Sequence, residues 1–245
     1  MILAFTNLPV RRLATVGLVA MLVAGCATPA VSPTAPASPV PTLPPTPPLY
    51  TLGPTMAPNA CPTTTPPAFT GTATVTMTTN YGTIVIKIDG SLGPNAAGAF
   101  VALARCGYYD NVMFIRVISK FIIQAGDGTY GRMPDPVLGA QLGGGGPGWS
   151  VTDDPVTTTY KRGTVAIART SAANSGGSQF FIVMDDSAQK SLGSSGYNNY
   201  AIFGSVTAGM DVADRIAAVP VGGDETPPAM PLQPIVITGT SVATP

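Results

Sequence analysis

The sequence predicts a mainly β protein, specifically a closed antiparallel barrel of eight strands with a helix capping each end. Only 10% of the 245 residues are charged, and the 28 glycines and 26 prolines indicate frequent turns. Eight short runs rich in β-branched or aromatic residues lie between such turns, whereas two segments have helical spacing. Many short strands with few helices are typical of closed barrels, which leave no strand edge unpaired.

The N-terminal segment has the pattern of an export signal. Arg11 and Arg12 precede an apolar run at residues 13–24, which has the length of a signal-peptide core and is too short for an ordinary membrane span. The run ends in Val-Ala-Gly-Cys, which resembles the bacterial lipobox. We therefore expect residues 1–25 to be removed and Cys26 to carry lipid, giving an extracytoplasmic protein anchored to a cell membrane. The alternative is a plain secretory signal with an incidental cysteine.

Residues 26–67 are predicted to form a disordered tether. The segment is mostly Pro, Thr, Ser and Ala and contains no charged side chain, so it cannot bury enough apolar surface to offset the entropy lost on ordering. The folded domain is predicted at residues 68–240, followed by a short tail at 241–245.

Two cysteines remain once Cys26 is assigned to lipid. Outside the cytoplasm, a pair of otherwise unassigned thiols favours a disulfide. We expect this bond to join Cys61, near the end of the tether, to Cys106. The alternative is two free or buried thiols.

Composition excludes several classes of function. Twelve basic residues balance twelve acidic ones, so no net field attracts nucleic acid. The chain has no histidine, which excludes Ser-His-Asp and Cys-His nucleophile systems and histidine metal sites. Three scattered cysteines do not form a zinc cluster. We expect a monomer that uses no metal and no cofactor.

The elements follow one another in a simple order. Ile84, Ile86 and Ile88 alternate with Val85 and Lys87, which is the pattern of a strand with one buried face. An Asn-Tyr-Gly turn precedes that strand. Strands are predicted at residues 74–79, 83–88, 113–118, 121–124, 164–168, 179–184, 200–206 and 235–238. Helices are predicted at 94–105, where proline occupies the first position, and at 210–218.

Several motifs, taken in order, resemble those of the cyclophilin-type peptidyl-prolyl isomerases. They are GYYDNVMFIRVISKFIIQAGD, GGGPGW, GTVAIARTSAANSGGSQFFIV and YAIFG. The resemblance covers about residues 74–238. It implies a barrel with a packed interior and an outer groove that binds proline-containing polypeptides.

The resemblance assigns the central role to Arg116. If side chains alternate along the strand, Phe114 and the isoleucines fill the interior while Arg116 and Gln124 reach the groove. Arg116 would stabilise the twisted X-Pro bond, and Gln124 would hold a substrate carbonyl or position Arg116. The alternative for Arg116 is a solvated strand arginine.

The remaining site residues also follow from the resemblance. The resemblance implies an apolar pocket for the proline ring, an edge that binds the substrate backbone and a side chain that supports the groove. The pocket residues are Phe121, Ile122, Phe181 and Leu192, with Tyr200 at the rim; the edge is Ala168 and Arg169; the support is Gln179. The implied function is faster rotation of X-Pro bonds in exported proteins or peptides.

Three positions depart from the family pattern. Ile115 replaces a histidine, Tyr200 replaces another, and the tryptophan that many members carry before Leu192 is absent. Two alternatives therefore remain open. One is a proline-peptide binding module or chaperone with little turnover. The other is an unrelated barrel lipoprotein that holds a solute in an interior cavity.

Overall fold

The computed structural model describes residues 61–133, 135–137, 141–194, 200–222 and 229–245. The predicted signal peptide, the lipid attachment at Cys26 and the tether up to residue 60 lie outside the described residues. Among the described residues, none of the helices combines the length and hydropathy needed to cross a bilayer.

Eight strands close into an antiparallel barrel, as the sequence predicted. The described residues contain ten strands, of which eight belong to the barrel. In chain order the ten are β1 (Thr72–Thr79), β2 (Gly82–Asp89), β3 (Val112–Ile118), β4 (Ile122–Ala125), β5 (Thr164–Ile167), β6 (Phe180–Val183), β7 (Ile202–Ala208), β8 (Val221–Gly222), β9 (Met230–Pro231) and β10 (Val236–Ala243). Strands β8 and β9 form a separate two-stranded ribbon, and the barrel order is β1-β10-β3-β4-β6-β5-β7-β2.

In the part of the chain that the structure describes, three helices accompany the barrel: α1 (Pro94–Arg105), α2 (Gln189–Leu192) and α3 (Met210–Ala217). Helices α1 and α3 match the two predicted helices, whereas α2 was not predicted. It is a single turn that follows a 3-10 turn at Asp186–Ala188, too short to give a periodic apolar pattern. It positions Leu192, which is buried.

Helix α1 is capped by a side chain from a distant loop. The buried carboxylate of Asp154 accepts hydrogen bonds from the backbone N–H groups of Asn95 (3.2 Å) and Ala96 (2.9 Å). These are first-turn donors that have no partner within the helix, and negative charge is favourable at this end. The cap fixes α1 over one end of the barrel.

Aromatic rings fill the barrel interior. The ring of Phe100 on α1 lies 4.8 Å from Phe203, 5.1 Å from Phe180 and 5.2 Å from Tyr109, measured between centroids. All four side chains are buried. This close packing agrees with a structural core and argues against the alternative of a solute held inside the barrel.

Strand β10 extends beyond residue 240, where the sequence analysis places the end of the domain. Strand β10 pairs with β1 as far as Ala243, which lies opposite Thr74, so residues 241–243 belong to the barrel wall rather than to a tail. The last five residues of β10 are Gly, Thr, Ser, Val and Ala, a run without the alternation of large apolar and polar residues that marks a strand with one buried face. Pairing with β1 determines their conformation.

Contacts with the domain also begin before residue 68, where the sequence analysis places its start. Residues 61–67, which we name the N-terminal strap, contact the folded domain instead of extending the tether. A disulfide joins Cys61 to Cys106, the two cysteines predicted to pair. Thr65 Oγ1 donates to the carbonyl of Ser150 at 2.9 Å.

Candidate active site

A groove of about 1140 Å³ runs along the outside of the barrel. Strands β3, β4 and β6, the segment after β5, the one-turn helix α2 and a glycine-rich loop at residues 143–150 form its walls. All ten residues predicted for catalysis and substrate binding line it: Arg116, Phe121, Ile122, Gln124, Ala168, Arg169, Gln179, Phe181, Leu192 and Tyr200.

A β-bulge in β3 directs Arg116 into the groove. Phe114 pairs with Ala125 and Arg116 pairs with Gln124, so the register shifts across Ile115. Phe114 and Val117 both belong to the interior core, although they are three positions apart, an odd number that strict alternation would place on opposite faces. The expectation of strict alternation was therefore wrong, because it would place Phe114 and Arg116 on the same face. The extra residue of a bulge interrupts the alternation, so each side chain after it points to the face opposite to the one that a regular strand would give it.

Ile115, the residue at the bulge, lies outside the interior core. It is buried with Met113 and Val236 in a separate cluster, against which Met133 and Leu142 pack. Ile115 thus supports the back of the glycine-rich loop. A histidine here is not needed for that packing role.

Among the described residues, Nε of the Arg116 guanidinium has no hydrogen-bond partner. The side chain is half-buried, and Nε itself is buried. Burial lowers the pKa of Arg116, and the proximity of Tyr200 opposes that effect. An unpaired buried donor is costly and is a mark of functional sites. The group keeps directional donors free for a ligand.

An apolar floor lies beside Arg116. Ile122, Phe181 and Leu192 are buried in one cluster outside the barrel interior, and Phe121, Ala168 and Tyr200 pack against it. The rings of Phe181 and Tyr200 meet edge to face, with centroids 5.5 Å apart. Phe180, by contrast, faces the interior, as the alternation along β6 predicts.

A chain of side-chain amides connects the floor to the glycine-rich loop. Gln124 Nε2 donates to Gln179 Oε1 at 2.9 Å. Gln179 Nε2 then donates to the carbonyls of Gly143 (2.8 Å) and Gly145 (2.9 Å). Gln179 therefore supports the groove, and its contact orients the Gln124 amide beside Arg116.

A buried carboxylate that received no role from the sequence holds the same loop. Asp127 is fully buried. Its two oxygens accept from the N–H groups of Thr129 (3.1 Å), Tyr130 (2.8 Å), Gly143 (2.7 Å) and Gly145 (3.2 Å). Hydrogen bonds to a charged acceptor are stronger than neutral ones. Two of these partners lie 16 and 18 residues away, so no local pattern revealed them.

Ala168 and Arg169 lie on the edge of the groove. The guanidinium of Arg169, however, has a structural role. Its Nη1 donates to the carbonyls of Thr170 and Ala172, both at 3.0 Å. Its Nε lies 3.8 Å from a carboxylate oxygen of Asp153. These contacts stabilise the loop at 170–175 beside the groove.

Ser178 has no arrangement suited to a nucleophile. Its hydroxyl is buried and donates to the carbonyl of Gly126 at 2.7 Å. The hydroxyl of Tyr108 lies 3.2 Å away. Within the described part of the chain, no group of three or more metal-ligating side chains comes together.

The site thus combines a packed antiparallel barrel, an outer apolar floor and an arginine whose Nε has no hydrogen-bond partner among the described residues. The sequence model of the family described as cyclophilin type peptidyl-prolyl cis-trans isomerase/CLD matches residues 74–242. The chain belongs to this family, and it is a peptidyl-prolyl cis-trans isomerase.

Relatives and solved structures agree with this assignment. The chain is 36% identical over 172 residues to peptidyl-prolyl cis-trans isomerase cyp18 of Streptomyces antibioticus, covering 69% of this chain and 98% of the relative. It is 33% identical over 178 residues to peptidyl-prolyl cis-trans isomerase B of Escherichia coli strain K12, covering 69% and 99%. A cyclophilin type isomerase of Cryptosporidium parvum superposes with a TM-score of 0.58 at 28% identity, covering 71% and 99%. A second crystal structure of that protein was determined in the presence of the dipeptide Ala-Pro.

Proposed function

We propose that Arg116 catalyses rotation of X-Pro bonds by donating a hydrogen bond to the prolyl nitrogen. A peptide bond resists rotation because of resonance, with a barrier of about 20 kcal/mol. When the bond twists, the nitrogen becomes pyramidal and gains a lone pair that hardly exists in the planar ground state. An interaction that forms only with the twisted amide lowers the barrier without tightening ground-state binding.

The single observation that carries this proposal is the position of the Arg116 guanidinium beside the apolar floor, with no hydrogen-bond partner for its Nε among the described residues. Arg116, Phe121 and Phe181 line the same groove, so a proline ring on the floor lies within reach of a fixed cation. The side chain is half-buried, and the partial loss of water around the guanidinium strengthens its electrostatic interactions. No bond is made or broken, so the absence of histidine from the sequence is no obstacle.

The amide chain completes the substrate contacts. Because Gln179 accepts from Gln124 Nε2, the carbonyl end of the Gln124 amide and its second N–H remain for the substrate backbone. In this arrangement Gln124 binds the peptide next to the X-Pro bond, while Gln179 acts through Gln124 and the glycine-rich loop. The Oε1 atom of Gln124 would also be placed to accept a hydrogen bond from Arg116 once substrate is bound.

The polypeptides on which the enzyme acts are, we propose, exported ones. Three features support this: the signal-like segment, the lipobox-like Cys26 and the Cys61–Cys106 disulfide. Stable disulfides are typical of oxidising compartments. The proposed form is a monomer held to a membrane by lipid on Cys26.

The test compares wild type with Arg116→Ala and Arg116→Lys on a short Ala-Pro peptide, using protease-coupled and NMR exchange assays. We expect kcat/KM to fall on the order of 10²-fold or more for both variants, since lysine lacks the planar, fork-shaped set of donors. Peptide binding, measured by NMR titration, should persist. Equal turnover by wild type and Arg116→Ala would instead indicate a proline-peptide binding module.

A further inference from the structure

The N-terminal strap crosses helix α1 and reaches the wall of the groove. It begins at Cys61, which is bonded to Cys106 at the C-terminal end of α1. It then passes Gly98 on α1, where an added Cβ would collide with the carbonyl oxygen of Pro67. Just beyond the strap, the N–H of Phe69 donates to the carbonyl of Pro94 at 2.9 Å.

Two hydrogen bonds join the strap to residues that line the groove. The indole Nε1 of Trp149 donates to the carbonyl of Pro62 at 2.9 Å. Thr65 Oγ1 donates to the carbonyl of Ser150 at 2.9 Å. Trp149 and Ser150 are both groove-lining residues. The strap therefore supports, from behind, the same loop that Asp127 and Gln179 hold from the barrel side.

The strap lies outside the part of the chain that resembles the family. The family match begins at residue 74, whereas the strap ends at residue 67. The groove wall at Trp149 thus depends on a segment that the shared domain does not supply. Cys61 secures the start of this segment covalently, and Cys61 itself is only half-buried.

We propose that the Cys61–Cys106 disulfide controls how tightly the groove binds polypeptide, by holding the strap against Trp149 and Ser150. A dithiol of the thioredoxin type would donate two electrons and two protons to the S–S bond. The products are the free thiols of Cys61 and Cys106 and the disulfide of the reductant. Once released, the strap no longer fixes the Trp149 side of the wall, and substrate affinity falls. The inference rests on the proposed use of this groove for substrate.

The experiment uses full-length protein and measures kcat, KM and tryptophan emission before and after reduction by dithiothreitol. Trp149 is the only tryptophan in the chain, so its emission reports the strap contact directly. On reduction we expect a red shift of emission as the indole gains water. We also expect KM to rise about three- to tenfold, the loss associated with one or two hydrogen bonds, with kcat nearly unchanged.

Three variants sharpen the test. The double variant Cys61→Ser with Cys106→Ser should show the high KM without reductant and no response to it. Trp149→Phe removes the donor to Pro62, so it should raise KM while the disulfide stays intact. Cys26→Ser leaves Cys61 and Cys106 as the remaining cysteines and should respond to reduction as wild type does.

The outcomes separate this inference from the proposed function. If thiol titration shows complete reduction while KM and emission stay unchanged, the disulfide only stabilises the fold and the inference is overturned. If the double variant does not fold, reduction of wild type and the Trp149→Phe variant still decide the matter. Failure of the proposed function would appear differently, as turnover that does not depend on Arg116 in the oxidised protein.

Discussion

Arg116 and Gln124 lie directly opposite each other on strands β3 and β4, immediately after the bulge at Ile115. The pairing places a cation and an amide side by side on the outer face of the barrel. Since a barrel wall is rigid, both groups are positioned by backbone hydrogen bonds and not by a mobile loop. Such a placement suits a reaction in which the enzyme must favour one geometry of the substrate.

The first prediction concerns the cost of burying Arg116 with its Nε unpaired among the described residues. Burial lowers the pKa of Arg116, so the folded state disfavours the cation and the charge destabilises the fold below that pKa. We expect Arg116→Met to unfold at the same temperature as wild type or higher, with a gain of up to about 1–3 kcal/mol, because an orphaned donor is removed. Turnover should be lost. Thermal melting and the exchange assay measure the two effects, and a clear fall in melting temperature would contradict the account.

The second prediction tests the amide chain. Gln179→Leu removes the acceptor for Gln124 and the donor to the glycine-rich loop. We expect kcat/KM to fall about tenfold, because both groove elements lose a hydrogen bond. Combining this change with Gln124→Leu should cost less than the sum of the two single changes, as groups acting together are not additive. Additive losses in the four-variant cycle would show that Gln179 acts independently of Gln124.

The third prediction concerns the buried Asp127. Asp127→Asn places an NH₂ group against backbone donors that now point at a carboxylate oxygen. We expect the free energy of unfolding to fall by about 2–4 kcal/mol, measured by chemical denaturation. The matched control is Asp135→Asn at an exposed position, which should change stability little. Equal effects at the two positions would refute the role given to Asp127.

The fourth prediction is a flat pH profile for activity. Arg116 has a lowered pKa, but arginine still stays protonated throughout the ordinary range, and the sequence has no histidine. We therefore expect kcat/KM to vary less than about twofold between roughly pH 6 and pH 9. A bell-shaped profile would reveal a proton-transferring group that the mechanism does not contain.

Stability, unlike activity, should respond to acid. Hydrogen bonds from Ser91 lower the pKa of Asp89, with burial acting in the opposite direction. The contribution of Asp89 is therefore present above the unfolded-state pKa and is lost as pH falls through the folded-state pKa. We expect Ser91→Ala to reduce the amount of stability that is lost on acidification. Melting curves collected from about pH 6 down to about pH 2 should show wild type and variant converging at the acid end.

Local patterns in the sequence were sufficient to predict the barrel, whereas the floor of the groove was predicted from the resemblance to the cyclophilin-type isomerases. Alternating apolar residues specify which side of a strand is buried, and Phe180 and Phe181 obey that rule. The bulge at Ile115 escaped prediction because isoleucine fits a regular strand equally well. Only pairing with β4 shows that one residue is extra.

Features that depend on distant partners were missed for a related reason. Asp127 and the strap residue Thr65 each bind backbone atoms far along the chain, and polar residues in such places have no periodic signature. The strap also resembles the tether in composition, since both are rich in proline and threonine. Its contacts with α1 and the groove wall distinguish it.

The seam between β1 and β10 has a consequence for biogenesis. The first strand of the barrel pairs with the last one, from Thr74 opposite Ala243 to Thr79 opposite Ile237, and β10 also pairs with β3. The barrel wall therefore cannot close until strand β10 is available to pair with both of its neighbours. Until then β1 and β3 present open edges, which are prone to intermolecular pairing. A folding catalyst of this topology is therefore itself open to intermolecular strand pairing for as long as β10 is not in place.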